Sequence, residues 1–336
     1  MTSVFGSSQL EESARLLRQR GAWSELAVLL DDHITEVRTQ PELANLRGES
    51  YLRSGSPRES RAWFVDAIPA IERRGNRSAL RRAINMIGVA EFQLGELDAA
   101  GPSFERALEL GQQDGDDLLV ARATNNLGAI ANIRAQRERA LGLYSLAAAA
   151  YQRLGDVMGL AECYHNMAIT FRDAGDLERA DDHELRAIEF AREAANPMLL
   201  AQARLGRAEI SLRKGDAAFA EAAALRAASD FSILPEPIQE ADALRLVGVA
   251  ALAQGKLAIA QEMLDAALQL AQQKGGALNE AEILQARSAL HDRLGDHASR
   301  RRDALAAIAI FERLQAHHDR QMLTDWLRER DPASGV

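Results

Sequence analysis

The chain has 336 residues, 47% of them hydrophobic, and its 40 Lys and Arg against 49 Asp and Glu give a net charge of −9. That length exceeds what one compact core usually organises, the apolar share excludes wholesale disorder, and the acidic balance argues against binding nucleic acid. A lone cysteine, Cys163, excludes an intrachain disulfide framework and all but excludes a cysteine-based metal site.

No apolar run follows a basic start at Met1-Thr2-Ser3-Val4-Phe5-Gly6. No window approaches the ~18 consecutive apolar residues of a membrane span. A chain without membrane contact and with a cytoplasmic location is expected. Residues 8–40, with their apolar positions between Leu10 and Leu30, read as a weak N-terminal capping repeat. Residues 41–315 read as regular repeats. Gly55, Gly95, Gly175, Gly215, Gly255 and Gly295 fall on one 40-residue register, and Ala135 holds the position of the missing member. Seven residues before each turn stands a small residue: Gly48, Gly88, Gly128, Ala168, Ala208, Gly248 and Ser288. Five residues after it come Ser60, Ala100, Ala140, Ala180, Ala220 and Ala260. Small residues at fixed offsets predict helices that approach closely. The turn glycine supplies a left-handed helix end without steric cost. The Asp or Glu that often follows is placed to cap the next helix.

Apolar residues between these marks recur with helical spacing, as in Ile84, Ile87, Phe92 and Leu94, then Leu97, Phe104, Leu108 and Leu110. Each repeat is therefore two antiparallel helices, which bury their apolar stripes only by stacking on the next pair. Leu234-Pro235-Glu236-Pro237 keeps the register and is not taken as a boundary, so 1–336 reads as one domain. Residues 318–330, around Met322, Leu323, Trp326 and Leu327, form one more amphipathic helix capping the array. The tail from Asp331 is expected to fray. Arg300 departs from the pattern, standing where Ala is expected.

Asn126-Leu127-Gly128 with Ala140, Tyr144 and Ala147 resembles the tetratricopeptide repeat. So do Tyr164, Met167-Ala168, Phe171, Gly175, Ala180 and Ala187, and Val247-Gly248, Gly255, Ala260, Leu264 and Ala267. The ordinary period of that family is 34 residues. The longer 40-residue step is similar to that of bacterial MalT-type regulators and LGN-type adaptors, and it predicts longer helices. The resemblance implies an all-α, right-handed superhelical solenoid of about eight antiparallel helix pairs with a C-terminal capping helix. It also implies a bacterial source and a concave groove lined by the first helix of each pair.

No phosphate-binding loop, zinc-binding His-Glu-x-x-His or nucleophile elbow is present. Neither catalysis nor a metal nor a cofactor is expected. Asp181-Asp182-His183-Glu184 and His317-His318-Asp319 read as solvated faces, since consecutive helical residues diverge. The candidate site is a polar ladder. Asn45, Asn85, Asn125 and His165 repeat at 40 residues, with Arg82 and Arg122 three residues upstream and Asn126, Asn132, Asn166 and Arg172 on nearby turns. An amide can pair with both the N–H and the C=O of a peptide unit, and arginine can hold a carboxylate bidentately. The same side chains can instead bond between adjacent helices and only hold the stack; the sequence leaves both readings open. The expected function is an adaptor or scaffold that binds a peptide segment of a protein partner. The alternative is a sensor of a short signalling peptide or small molecule that acts on a partner in trans. Self-association remains compatible with either.

Overall fold

A computed structural model describes residues 7–331 apart from 235, 275 and 315. Pro235, within the stretch not taken as a boundary, and the tail beyond Asp331 thus lie outside the described residues. The chain is all-helical, 87% helix, with 18 helices and no strand among the described residues. Its contacts divide it into two compact units, Met1–Gly159 and Leu160–Val336.

In the first unit, α1 (Ser7–Gln19), α2 (Trp23–Asp32) and the one-turn α3 (Ile34–Val37) precede α4 (Pro41–Arg53). Leu10, Ala14, Leu26, Leu30, Val37, Leu43 and Leu46 form one buried cluster there. Leu10 and Ala14 of α1 and Leu26 and Leu30 of α2 are thus buried together with Val37 of α3 and Leu43 and Leu46 of α4. α5 (Pro57–Arg73), α6 (Arg77–Gln93), α7 (Leu97–Asp114), α8 (Asp117–Ile133) and α9 (Arg137–Leu154) follow, each packed on its predecessor. α10 (Val157–Asp173) contributes its first residues to this unit and the rest to the second. The second unit continues with α11 (Leu177–Glu193), α12 (Pro197–Arg213), α13 (Ala217–Ile233), α14 (Pro237–Ala253), α15 (Leu257–Lys274), α16 (Ala277–Leu294), α17 (His297–Arg313) and α18 (His317–Arg330). From α5 to α17 every helix has 17 or 18 residues, which is about 26 Å of axis. Among the described residues no helix is long and apolar enough to cross a membrane.

The turns follow a register finer than the one first evident. Left-handed residues stand at 55, 75, 95, 115, 135, 155, 175, 195 and 215, one every 20 residues. From α4 to α12 every helix, not only the first of each pair, thus ends in the same way. At Gly95 the glycine N–H donates to Phe92 O (3.0 Å) and the Glu96 N–H to Glu91 O (2.9 Å), which satisfies two terminal carbonyls. The next residue often caps the following helix. Asn76, Asp116, Asp176, Asn196, Asp216 and Asp296 each accept a bond from a backbone N–H three residues on. Glu96, one methylene longer, makes no cap and pairs with Arg61 instead.

The small residues lie where helices touch. A Cβ on Gly48, Gly88 or Gly128 would come within 2.3, 2.8 or 2.6 Å of the rings of Phe64, Phe104 and Tyr144. In the second unit Gly248 faces Leu264 in the same way, at 2.6 Å. Ala100, Ala140, Ala180, Ala220 and Ala260 are completely buried. Leu323 and Leu327 of α18 pack against the core that contains Ala307 and Phe311. Arg300 explains its departure from the repeat by tying this cap down. Its guanidinium donates to Asp292 (2.8 Å) on α16 and to the carbonyl of Arg330 (3.1 Å) on α18. Asp331, expected to be frayed, is held by Arg301 at 3.1 Å.

Among the described residues two turns carry the left-handed conformation without glycine, Ala135 at φ 57° and Ala195 at φ 48°. A Cβ is disfavoured there. Ala135→Gly and Ala195→Gly should each stabilise the fold by about 0.5–1 kcal/mol, seen as a raised urea midpoint with unchanged slope.

Candidate functional site

In the first unit, α4, α6 and α8 are successive first helices of their pairs, and each packs on the next. The ladder positions lie along them. Asn45 is fully buried, and its Nδ2 donates to the carbonyl of Ala79 on α6 (3.0 Å). That side chain joins two helices. Its Oδ1 and that of Asn85, which is 4% exposed, have no partner. Asn125 is buried, and Asn126 and Asn132 are half-buried. Three residues upstream the picture is more open. Arg82 is half-exposed, with Glu42 at 3.7 Å as a loose partner. Arg122 is exposed and makes no side-chain hydrogen bond or ion pair among the described residues. The neighbouring arginines differ, because Arg77 and Arg81 are both committed to Asp114.

In the second unit the ladder residues are engaged. Arg172 pairs with Glu209 and Asp173, and Asn166 is half-buried. His165 directs Nδ1 at both carboxylate oxygens of Glu184, at 3.0 and 3.1 Å. Glu184 is 1% exposed, which corrects the expectation of a solvated Asp181–Glu184 face. Of those four residues only Asp182 is exposed. Asp181 holds Arg207 at 2.7 Å, and the His183 ring packs on Phe171 with centroids 4.8 Å apart.

Glu184 occupies the position that holds Phe64, Phe104 and Tyr144 in earlier repeats. It fits because α12 presents Gly206, where a Cβ would lie 2.1 Å from Glu184 Oε1. Burial, the largest influence on both groups, lowers His165 and raises Glu184. The charge and hydrogen bond of Glu184 outweigh burial at the imidazole and carry it above its ordinary 6.5. Glu184 is held above its ordinary 4.5, although His165 and Arg172 pull it down. Further along, Arg245 donates to Asp242 (2.6 and 2.9 Å) and lies 3.6 Å from Glu282. Burial raises Glu282, helped by Asp242, Glu209 and Asp319. Among the described residues no group of three His, Cys, Asp or Glu could hold a metal ion. Cys163 is buried.

Residues 82–114 and 119–193 match models of the tetratricopeptide repeat. Those residues carry tetratricopeptide repeats. No curated protein matches it in sequence. Solved structures of similar fold include a Rap protein complexed with competence and sporulation factor, 14% identical, covering 96% of each chain with a TM-score of 0.67. Another is the Rap conjugation gene regulator of plasmid pLS20 in complex with the Phr* peptide, 13% identical over 88% of this chain and 77% of that one, TM-score 0.69. A third is a signal-transduction ATPase with a tetratricopeptide-repeat sensor from Pyrococcus horikoshii, 12% identical over 94% of this chain and 48% of that one, TM-score 0.62. At these identities the likeness is one of fold.

The Glu184 slot leaves no room for a methyl group at 206. Gly206→Ala should destabilise by ~1–3 kcal/mol in urea unfolding. Gly142→Ala, on an exposed helix position with nothing within 4 Å, should be neutral or stabilising through helix propensity alone.

Proposed function

We propose that the chain is a non-enzymatic peptide-binding repeat protein and that the first-helix face of α4, α6 and α8 is its docking surface. Arg122 carries this reading. It is an exposed guanidinium with no internal partner among the described residues, one repeat along from the half-exposed Arg82. Two such groups at one register suit an acidic segment, each able to take a carboxylate in a two-bond fork. The unpaired Oδ1 of Asn85 is an acceptor for a backbone N–H, should the helices part slightly on binding. Asn45 and Arg172 have internal partners and play a smaller part in this scheme. Asn125, Asn126 and Asn132 complete this surface as the sequence proposes it, while His165 and Asn166 offer polar groups within the second unit.

Binding a segment of a larger protein, as an adaptor or scaffold does, is the preferred form of the reading. The two Rap structures named with a peptide factor support the alternative of a short signalling peptide, bound by a regulator that acts on a partner protein. Kinship with MalT-type regulators or LGN-type adaptors rests on the 40-residue period alone.

A displayed library of random peptides, selected on the wild-type protein, tests the docking surface. Enrichment of Asp- or Glu-bearing sequences is expected. Their affinity should fall at least about tenfold, the scale of one lost charge-assisted contact, in an Arg82→Glu, Arg122→Glu variant of unchanged helicity. Equal binding by both proteins would remove this face from the account.

A further inference from the structure

Three departures from the repeat meet at one place. The ladder runs Asn45, Asn85, Asn125 and then His165. The aromatic slot runs Phe64, Phe104, Tyr144 and then Glu184. The position of Leu46, Met86, Asn126 and Asn166 becomes Gly206. The three new residues are mutual neighbours, with His165 Nδ1 3.0 Å from Glu184 and the Gly206 Cβ position 2.1 Å from Glu184 Oε1 and 3.4 Å from His165 Cε1. An aromatic ring over a small residue, which serves the first three repeats, has been replaced by an ion pair whose carboxylate is buried and whose imidazole is half-buried.

A buried ion pair is a poor source of stability compared with apolar packing of the same volume, and its best-attested use is as a specificity or switching element. Histidine is the side chain whose charge changes in the physiological range. We propose that the His165–Glu184 pair makes the packing of α10, α11 and α12 in the second unit pH-responsive, tight while the imidazole is protonated and weakened once it is not. The groups facing the pair are few. Within the unit, α10 itself contributes Arg172, α11 contributes Glu184, and α12 contributes Glu209 beside the bare backbone of Gly206. Arg172 does not substitute for the lost imidazolium charge, because its guanidinium is already paired with Glu209 and Asp173.

Both members push in the same direction. A histidine whose pKa is raised in the fold contributes stability that is complete below its unfolded value and lost as pH rises through the folded one. A carboxyl raised by burial binds its proton more tightly folded than unfolded, so it too disfavours the fold as pH rises. The window opens above the ordinary carboxyl value of 4.5 and closes above the ordinary imidazole value of 6.5.

The experiment uses the full chain. The His165 Cε1–H resonance, assigned by its loss in His165→Gln, is titrated by NMR. Thermal midpoints of wild type and Glu184→Gln are compared between about pH 5 and 8, the range in which histidine acts as a switch. His165 should titrate above 6.5, and the wild-type midpoint should fall relative to that of Glu184→Gln across the same interval. Titration at or below 6.5 overturns the proposal, as do parallel midpoint profiles. If Glu184→Gln does not fold, the wild-type titration decides alone.

Discussion

The contact between a small residue on one helix and a large side chain on its partner sets the geometry of the first three regular repeats and recurs at Gly248 and Leu264. Where Gly48, Gly88 and Gly128 receive Phe64, Phe104 and Tyr144, the ring lies closer to the backbone than any Cβ would permit. Close approach buries the ring completely and leaves little void, which is where most of the apolar stabilisation of a two-helix unit originates. Helix length follows from it. With 17 or 18 residues in α6, α7 and α8 and one left-handed residue every 20 positions from 55 to 215, the contact recurs at the same height in these pairs. Such a stack is stabilised locally, repeat by repeat, and needs no central core.

Polar groups are distributed around that contact by how far apart the helices stand. Where first helices touch, an amide at the ladder position reaches the next backbone, as Asn45 does to Ala79, and becomes part of the scaffold. Where the side chain is longer and lies one turn upstream, it projects beyond the contact, and Arg122 is left exposed. In the second unit the arginines of α10, α12 and α14 are neutralised internally. Arg172, Arg204, Arg207 and Arg245 all have carboxylate partners. The asymmetry between an uncompensated cation on α8 and compensated ones on α10, α12 and α14 is the main support for the docking surface proposed on α4, α6 and α8.

Much of the fold was legible in residue spacing, because left-handed turns and close helix contacts each demand glycine or alanine, and those demands recur at fixed offsets. Even Ala135 was located as a turn by its place in the register, and its φ of 57° follows. The half-register of Gly75, Gly115 and Gly155 was equally present in the sequence but is obscured because its later members include Ala195. The candidate site was legible only in part. The 40-residue recurrence identified the ladder, but spacing does not reveal whether an amide already has a partner, which depends on tenths of an ångström between helices. The polar run Asp181-Asp182-His183-Glu184 suggests one solvated face and so conceals the buried Glu184. A helix turns about 100° per residue, so one of four neighbours points inward. The aromatic register of Phe64, Phe104 and Tyr144 identifies which one.

The most direct test of the central claim is a double-mutant cycle on Gly88 and Phe104, read by equilibrium unfolding in urea. If ring and backbone contact sets the packing, Gly88→Ala destabilises the wild-type chain but costs almost nothing once Phe104→Ala has removed the ring, with a coupling above about 1 kcal/mol. Additive effects of the two substitutions would mean that the helices are held at their distance by something else, and the account of the repeat would fail.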